Sequence, residues 1–232
     1  MIDVTPLEDL GHANHVWLDA RHHFSFANYY DPARMGFGKL RVWNDDLIKA
    51  GKGFPMHPHN DMEIISIINS GSLTHEDNMG NQGTISAGDV QVMTAGTGVV
   101  HSEYNRSDED VRLFQIWIET DAKGHEPYWE NREIPKEPTT DKLPVMASGR
   151  IGHEHALPIH QDAAIYAGMV LAGNKVSHEL EGGRRAYIVP ASGEIEINGI
   201  SIPTRAGVAI NEEIQITMLA KTDAKIVMVD LP

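Results

Sequence analysis

The sequence predicts an all-β protein composed of two modules of one fold. Three observations carry that expectation. From Glu63 onward, short apolar or alternating runs recur at roughly 8–12-residue spacing between Gly, Asn and Asp turns, the rhythm of a sandwich or barrel. Residues 121–144 break this rhythm, with Pro127, Pro135, Pro138 and Pro144 and few apolar positions. After the break the strands resume in a pattern that echoes the first half.

Taken in order, Phe24, Phe26, Tyr29 and Tyr30 crowd one short segment, read as aromatic packing beneath the first strands. Leu40-Arg-Val-Trp43 reads as a strand closed by an Asn44-Asp45-Asp46 turn. Ile64–Ile68 is an apolar run ended by Asn69-Ser70-Gly71. Leu73–Asp77, Thr84–Ser86, Val90–Thr94 and Val111–Glu119 follow as strands. The proline-bearing stretch is a semi-rigid connection. Beyond it, Ile165–Ala172, Ala186–Val189, Gly193–Asn198, Val208–Ile210, Ile214–Leu219 and Lys225–Asp230 are strands, with Glu194-Ile195-Glu196-Ile197 alternating polar and apolar.

The echo is specific in places. Ile65-Ser-Ile-Ile-Asn-Ser-Gly71-Ser-Leu, running to Ala87-Gly88, resembles Tyr187-Ile-Val-Pro-Ala-Ser-Gly193-Glu-Ile, running to Ala206-Gly207. Such a repeat implies two modules, expected at residues 1–135 and 136–232.

Composition bounds the function. The 232 residues carry a formal net charge of −14 and no cysteine. Disulfides, cysteine-ligated zinc and thiol nucleophiles are thereby excluded. An acidic chain without a Lys/Arg cluster is not expected to bind nucleic acid directly. No apolar run approaches a membrane span, and the first residues lack the basic-then-apolar pattern of a signal peptide, so a cytoplasmic protein is expected. Nucleophile elbows, P-loops and dinucleotide fingerprints are absent.

The chemistry-bearing stretch is Gly51–Glu63. In an extended chain His57 and His59 point to one face. Two residues of rise span roughly 6.6 Å, and imidazole nitrogens bind a metal at about 2.0–2.1 Å, so both rings can converge on one ion. His101 and Glu103 repeat this spacing. Two such strands facing each other would offer one metal three imidazoles and a carboxylate. Parity also puts Glu63 on the face of His57 and His59, so the carboxylate is open between Glu63 and Glu103. With 13 histidines, an isolated His-x-His has little weight. His153-Glu-His155, in a Gly/Pro-flanked connection without a second ligand pair, is read as a solvated loop. Nitrogen and oxygen donors with open positions suit Fe(II), with Mn, Ni, Cu or Zn as alternatives.

These residues form the two-part cupin signature, Gly51-x5-His57-x-His59-x3-Glu63 and Gly98-x2-His101-x3-Asn105. More closely, the chain resembles the pirin family. The resemblance is carried by His22-His-Phe-Ser-Phe-Ala-Asn-Tyr-Tyr-Asp-Pro32, Met35-Gly-Phe-Gly-Lys-Leu-Arg-Val42 and His57-Pro-His59. It continues in His75-Glu-Asp77, Met79-Gly-Asn81, Met93-Thr-Ala-Gly-Thr-Gly98, His101-Ser-Glu103 and Ile159-His-Gln-Asp-Ala163.

The resemblance implies two cupin (jelly-roll) β-barrels packed together, a bicupin, with one non-haem iron in the N-terminal barrel. It places the metal ligands on His57, His59, His101 and Glu103. It implies a dioxygenase that cleaves quercetin or a related flavonol with O2 and releases carbon monoxide, Glu103 also serving as catalytic base. The second module, with Glu179, Glu181 and Arg185 at the positions offset from His57, His59 and Glu63, is expected to be structural, or to serve as a lid and dimerisation surface. A different role described in the family is a redox-responsive regulator that binds a transcription factor or metabolic enzyme. A metal-dependent sugar isomerase rests on the cupin fold alone and ranks last.

Overall fold

The computed structural model describes all 232 residues. Apart from a 3-10 turn at Leu7–Asp9, its regular structure is entirely strand. Two compact units result. The first comprises Gly11–Glu133 with Leu157–Gln161, and the second Met1–Leu10, Ile134–Ala156 and Asp162–Pro232. A single cut between residues 135 and 136 therefore misses two segments. The opening strand β1 (Ile2–Thr5) belongs to the second unit, and Leu157–Gln161 to the first.

In chain order the first unit contains β2 (Gly11–Asn14), β3 (Leu18–His22), β4 (Leu40–Ile48) and β5 (Gly53–His59). Then come β6 (Met62–Ser70), β7 (Ser72–Asp77), β8 (Gln82–Ser86) and β9 (Asp89–Thr94). β10 (Val99–Tyr104), β11 (Val111–Glu119) and β12 (Tyr128–Glu133) complete it. One sheet runs β12-β9-β6-β11-β4-β3-β2 and the other β5-β10-β7-β8. Leu73 and Ile85 of the smaller sheet pack on Leu18, Ile48, Ile68, Val111 and Leu113 of the larger one. This is the two-sheet barrel the sequence predicts.

The chain continues through β13 (Val145–Ser148), β14 (Leu157–Pro158), β15 (Ala164–Val170), β16 (Lys175–Glu179) and β17 (Arg185–Ser192). It ends with β18 (Ile195–Ile197), β19 (Ile200–Ile202), β20 (Gly207–Asn211), β21 (Gln215–Ala220) and β22 (Ala224–Leu231). The second unit repeats the plan, with β1-β20-β17-β22-β15-β13 in one sheet and β16-β21-β18-β19 in the other. β1 holds the edge place that β12 holds in the first unit, pairing with β20 from Ile2↔Ile210 to Thr5↔Gly207.

The echoed glycines have a common physical cause. Gly71 and Gly193 each follow the long strand before a hairpin, and both have φ of 75°. A Cβ at Gly71 would stand 2.7 Å from the Asp110 carbonyl oxygen, and one at Gly193 2.4 Å from that of Asp223. Only glycine accepts both the left-handed conformation and the close backbone.

Two sequence expectations need correction. Asn44-Asp45-Asp46 is not a turn: β4 runs through it. Asn44 and Asp46 face the site described below, and Asp45, on the opposite face of the strand, is buried against Arg112, whose Nη1 reaches Asp45 Oδ1 at 3.0 Å. The connection at 121–144 is also not wholly irregular, since Tyr128–Glu133 pairs with β9. No helix is long and apolar enough to cross a membrane.

Candidate metal centre

The site lies on the inner face of the smaller sheet of the first unit. β5 and β10 are antiparallel neighbours with His57 opposite His101, rather than strands of opposing sheets. A register shift between His101 and Glu103 sets Glu103 opposite Phe54. The rings of His57, His59 and His101 lie 4.4–5.0 Å apart, centre to centre. Their ligand nitrogens all fall within 4.8 Å of one another, as do those of His75 and His101 with a carboxylate oxygen of Glu103.

Each donor is prepared for a cation. His57 Nδ1–H donates to the Pro55 carbonyl at 2.7 Å, so its lone pair sits on Nε2. His101 is buried and its Nε2 has no protein partner. Burial, then the nearby His57 and His75, pushes His101 down to about 3. Burial, then His101 and His57, pushes His59 down to about 4. Both rings are therefore neutral near pH 7, the state that binds metal.

Glu103 is equally constrained. Trp117 Nε1–H donates to Gln115 Oε1 at 3.2 Å, which turns the Gln115 Nε2 group onto Glu103 Oε2 at 2.7 Å. The second oxygen has only Ser66 Oγ, at 3.5 Å. Glu103 is 1% exposed and forms no ion pair with Lys or Arg. A buried carboxylate whose hydrogen-bond partners are an amide and a hydroxyl, beside the imidazoles of His57, His59 and His101, fits a divalent cation.

Glu63 lies elsewhere. The chain reverses at Asn60-Asp61, where Asp61 has φ of 48°, so Glu63 belongs to β6 and the parity argument does not reach it. It is fully buried and accepts hydrogen bonds from Thr94 Oγ1 (2.7 Å), the His160 backbone N–H (3.1 Å) and His160 Nδ1 (3.1 Å). His153 and His155 join no metal-binding group; His153 Nδ1 meets Ser148 Oγ at 2.9 Å.

Other residues complete the site that sequence reasoning did not assign. A chamber of about 140 Å3 beside His57, His59 and Glu103 is lined by Phe26, Asn44, Asp46, Phe54, Gln115 and Trp117, among others. It adjoins a cleft of about 550 Å3 that shares Leu18, Ala20, His22, Phe26 and Phe54 and adds Trp17 and Tyr29. The aromatic segment thus divides: Phe24 is core, Phe26 and Tyr29 are cavity wall, and Tyr30 is exposed. His22 Nδ1 bonds Asn44 Oδ1 at 2.8 Å, and burial lowers the His22 pKa despite that bond. Asp46 Oδ1 is buried without a partner. Burial, reinforced by Asp45 and Glu103, pushes Asp46 well above the usual carboxylate range. The sequence signal for these positions was a polar triplet continuing a strand's register.

Two repeated double-sheet barrels, one with a cluster of imidazoles beside a carboxylate, define a bicupin with a metal-type site in one barrel. The chain belongs to the pirin family. The model described as Pirin matches residues 4–118, and that described as Quercetinase C-terminal cupin domain matches residues 145–231. A pirin-like protein of Caulobacter vibrioides is 48% identical over 230 residues, covering 99% of both chains. A quercetin 2,3-dioxygenase of Escherichia coli is 42% identical over 233 residues, covering 100% of this chain and 99% of that one. The crystal structure of a bacterial pirin from Escherichia coli in complex with nickel(II) superimposes with a TM-score of 0.93 at 41% identity, covering 100% of this chain and 99% of that one.

Proposed function

We propose that this chain holds one divalent metal between His57, His59, His101 and Glu103 and cleaves quercetin or a related flavonol with O2. The observation that carries this reading is the juxtaposition of those donors, with His101 Nε2 left bare, and an aromatic-walled chamber. Its volume, about 140 Å3, is close to the ~150 Å3 cavity that accepts benzene. One ring of a polycyclic substrate fits there, and the adjoining cleft accommodates the remainder. The nitrogen and oxygen donor set favours Fe(II), and Mn, Ni, Cu or Zn are compatible with it. The related structure holding nickel(II) and the relative named for quercetin cleavage support the same reading.

Bound there, the metal supplies Lewis acidity and a meeting point for substrate and O2. Trp117, Phe26 and Phe54 hold the aromatic plane and exclude water. Gln115 pins one oxygen of Glu103, leaving the other to accept the proton of the substrate hydroxyl. Asp46, whose carboxyl burial pushes toward the protonated form, offers a hydrogen bond at a second substrate oxygen. Over the full cycle both atoms of O2 enter the cleaved product and one ring carbon leaves as carbon monoxide.

Oxygen uptake by metal-loaded protein with quercetin tests the proposal. His59→Ala should abolish uptake and metal retention, while His155→Ala should leave both unchanged. Equal activity in the two variants refutes it. Absence of turnover by metal-loaded protein across flavonols and catechols would instead favour a redox-responsive regulator with a protein partner.

A further inference from the structure

β7 lies beside β10 on the inner face, with Asp77 opposite His101 and His75 opposite Glu103. The side chains of His75 and Asp77 are both 0% exposed. His75 Nε2 is 3.1 Å from Asp77 Oδ2, and His75 Nδ1 is 3.3 Å from His101 Nδ1. Asp77 is itself fixed: Oδ1 accepts the backbone N–H of Met79 and Asn81, and Oδ2 accepts Asn81 Nδ2, all at 2.9 Å. Trp129 stacks on the His75 ring with centroids 5.1 Å apart and planes 16° from parallel.

With one proton on each ring, the donor and acceptor identities along this line permit one arrangement. A carboxylate only accepts, so the His75 proton is on Nε2. His75 Nδ1 then has the lone pair, and the neighbouring His101 Nδ1 must donate to it. The His101 lone pair is therefore on Nε2, the buried nitrogen without a protein partner. We infer that Asp77 and His75 form a tautomer relay that directs the His101 lone pair to the metal centre. Both are positioning residues, acting through His101. The inference deepens the metal-centre reading and rests on it for its purpose. The relay itself is a property of the metal-free protein.

Asp77→Asn reverses the polarity. The two backbone N–H groups claim the new amide oxygen, so its NH2 group faces His75 Nε2. His75 then carries its proton on Nδ1 and donates to His101 Nδ1, which drives the His101 proton onto Nε2. Hydrogen-bonding partners of metal-ligating histidines are worth about 10–100-fold in metal affinity. Loss of that order is expected here, with the ligands themselves intact.

The test is long-range 1H–15N correlation of the imidazoles in full-length, metal-free protein, paired with Ni2+ titration against a competing chelator. The parent should show His101 protonated at Nδ1 and His75 at Nε2. Asp77→Asn should show both reversed, with Ni2+ binding weakened about 10–100-fold. His75→Phe, which keeps a ring against Trp129, should leave His101 as a tautomer mixture and weaken Ni2+ by a smaller factor. It also serves as the test if Asp77→Asn does not fold. A parent His101 already protonated at Nε2, or unchanged tautomers and affinity in the variants, overturns the relay. Reversed tautomers in a protein whose parent form does not bind Ni2+ support the relay and overturn the metal-centre reading.

Discussion

Asp230 is the polar centre of the second unit, and its removal should be costly there. Its side chain is 0% exposed and accepts Arg184 Nε at 2.6 Å, Arg150 Nη1 at 2.9 Å and His178 Nε2 at 2.9 Å. Asp230→Asn leaves two guanidinium groups facing a neutral amide. Breaking one side of a buried ion pair costs about 3–5 kcal/mol. The lower end applies, because Arg150 keeps Glu181 at 2.8 Å and Arg184 keeps Asp162 at 2.9 Å. At roughly 2–4 °C per kcal/mol for a chain of this size, a loss of about 3 kcal/mol lowers Tm by about 6–12 °C. The pH dependence has a definite sign. Burial pushes the Asp230 carboxyl up, but the hydrogen bonds of His178 and Arg184 and their charges outweigh it and hold it below its ordinary value. A depressed carboxyl stabilises the fold above its unfolded pKa of about 3.9 and loses that contribution as pH falls through the folded value. The variant should therefore show a flatter acid limb below about pH 4. Calorimetric unfolding across pH, with Ni2+ titration in parallel, is the assay. A Tm unchanged from the parent, or Ni2+ affinity lost along with the Tm, refutes the reasoning that this network only stabilises its own unit.

Gly53 faces the shifted register of β10, where a Cβ would stand 2.2 Å from the Glu103 carbonyl oxygen and 2.5 Å from Tyr104 Cα. Backbone cannot yield as a side chain does, so Gly53→Ala should cost about 1–3 kcal/mol and weaken Ni2+ binding by displacing Glu103; unchanged binding would show that β5 and β10 tolerate separation. Because burial pushes the Asp46 carboxyl toward its protonated form, Asp46→Asn should change kcat/KM for quercetin only slightly. Asp46→Leu, lacking any hydrogen bond, should lose about 1–3 kcal/mol of substrate or transition-state binding, and a large loss in both variants would mean that a charge is required at that position.

Local patterns were legible in the sequence, and contacts between distant segments were not. His57-x-His59 and His101-x-Glu103 follow the two-residue strand period, so their shared face could be read directly. Gly71 and Gly193 mark the same turn because both must avoid the backbone of a following strand. Asn44-Asp45-Asp46 resembles a turn for a physical reason: three polar residues in a row make both faces of a strand polar, and a strand tolerates that only where each face supplies partners. Here His22 and the chamber receive Asn44 and Asp46, and Arg112 receives Asp45 on the opposite face, all from positions remote in sequence. Arg150 likewise sits in a segment that looks solvated, yet its guanidinium is 15% exposed and reaches Asp230, 80 residues away. Parity failed for Glu63 because it presumes one continuous strand, and the reversal at Asp61 begins another.

The two barrels differ in what their smaller sheets bury. In the second unit β21 stands where β10 stands in the first, and it buries Ile216, Met218 and Ala220. β18 stands where β7 stands, and it buries Ile195 and Ile197. Corresponding strands of the first unit instead bury His101, Glu103, His75 and Asp77. An apolar interior is the more stable choice, since buried polar groups cost free energy unless every partner is supplied. Each barrel nevertheless contains a buried carboxylate whose charge must be balanced. Asp230 is balanced by the guanidinium groups of Arg150 and Arg184, cations the chain itself provides. Glu103 has only the amide of Gln115 and the hydroxyl of Ser66, with the imidazoles of His57, His59 and His101 clustered beside it. Under the proposed function a cation taken from solution takes the place that the guanidinium groups fill in the other barrel, with the aromatic chamber beside it.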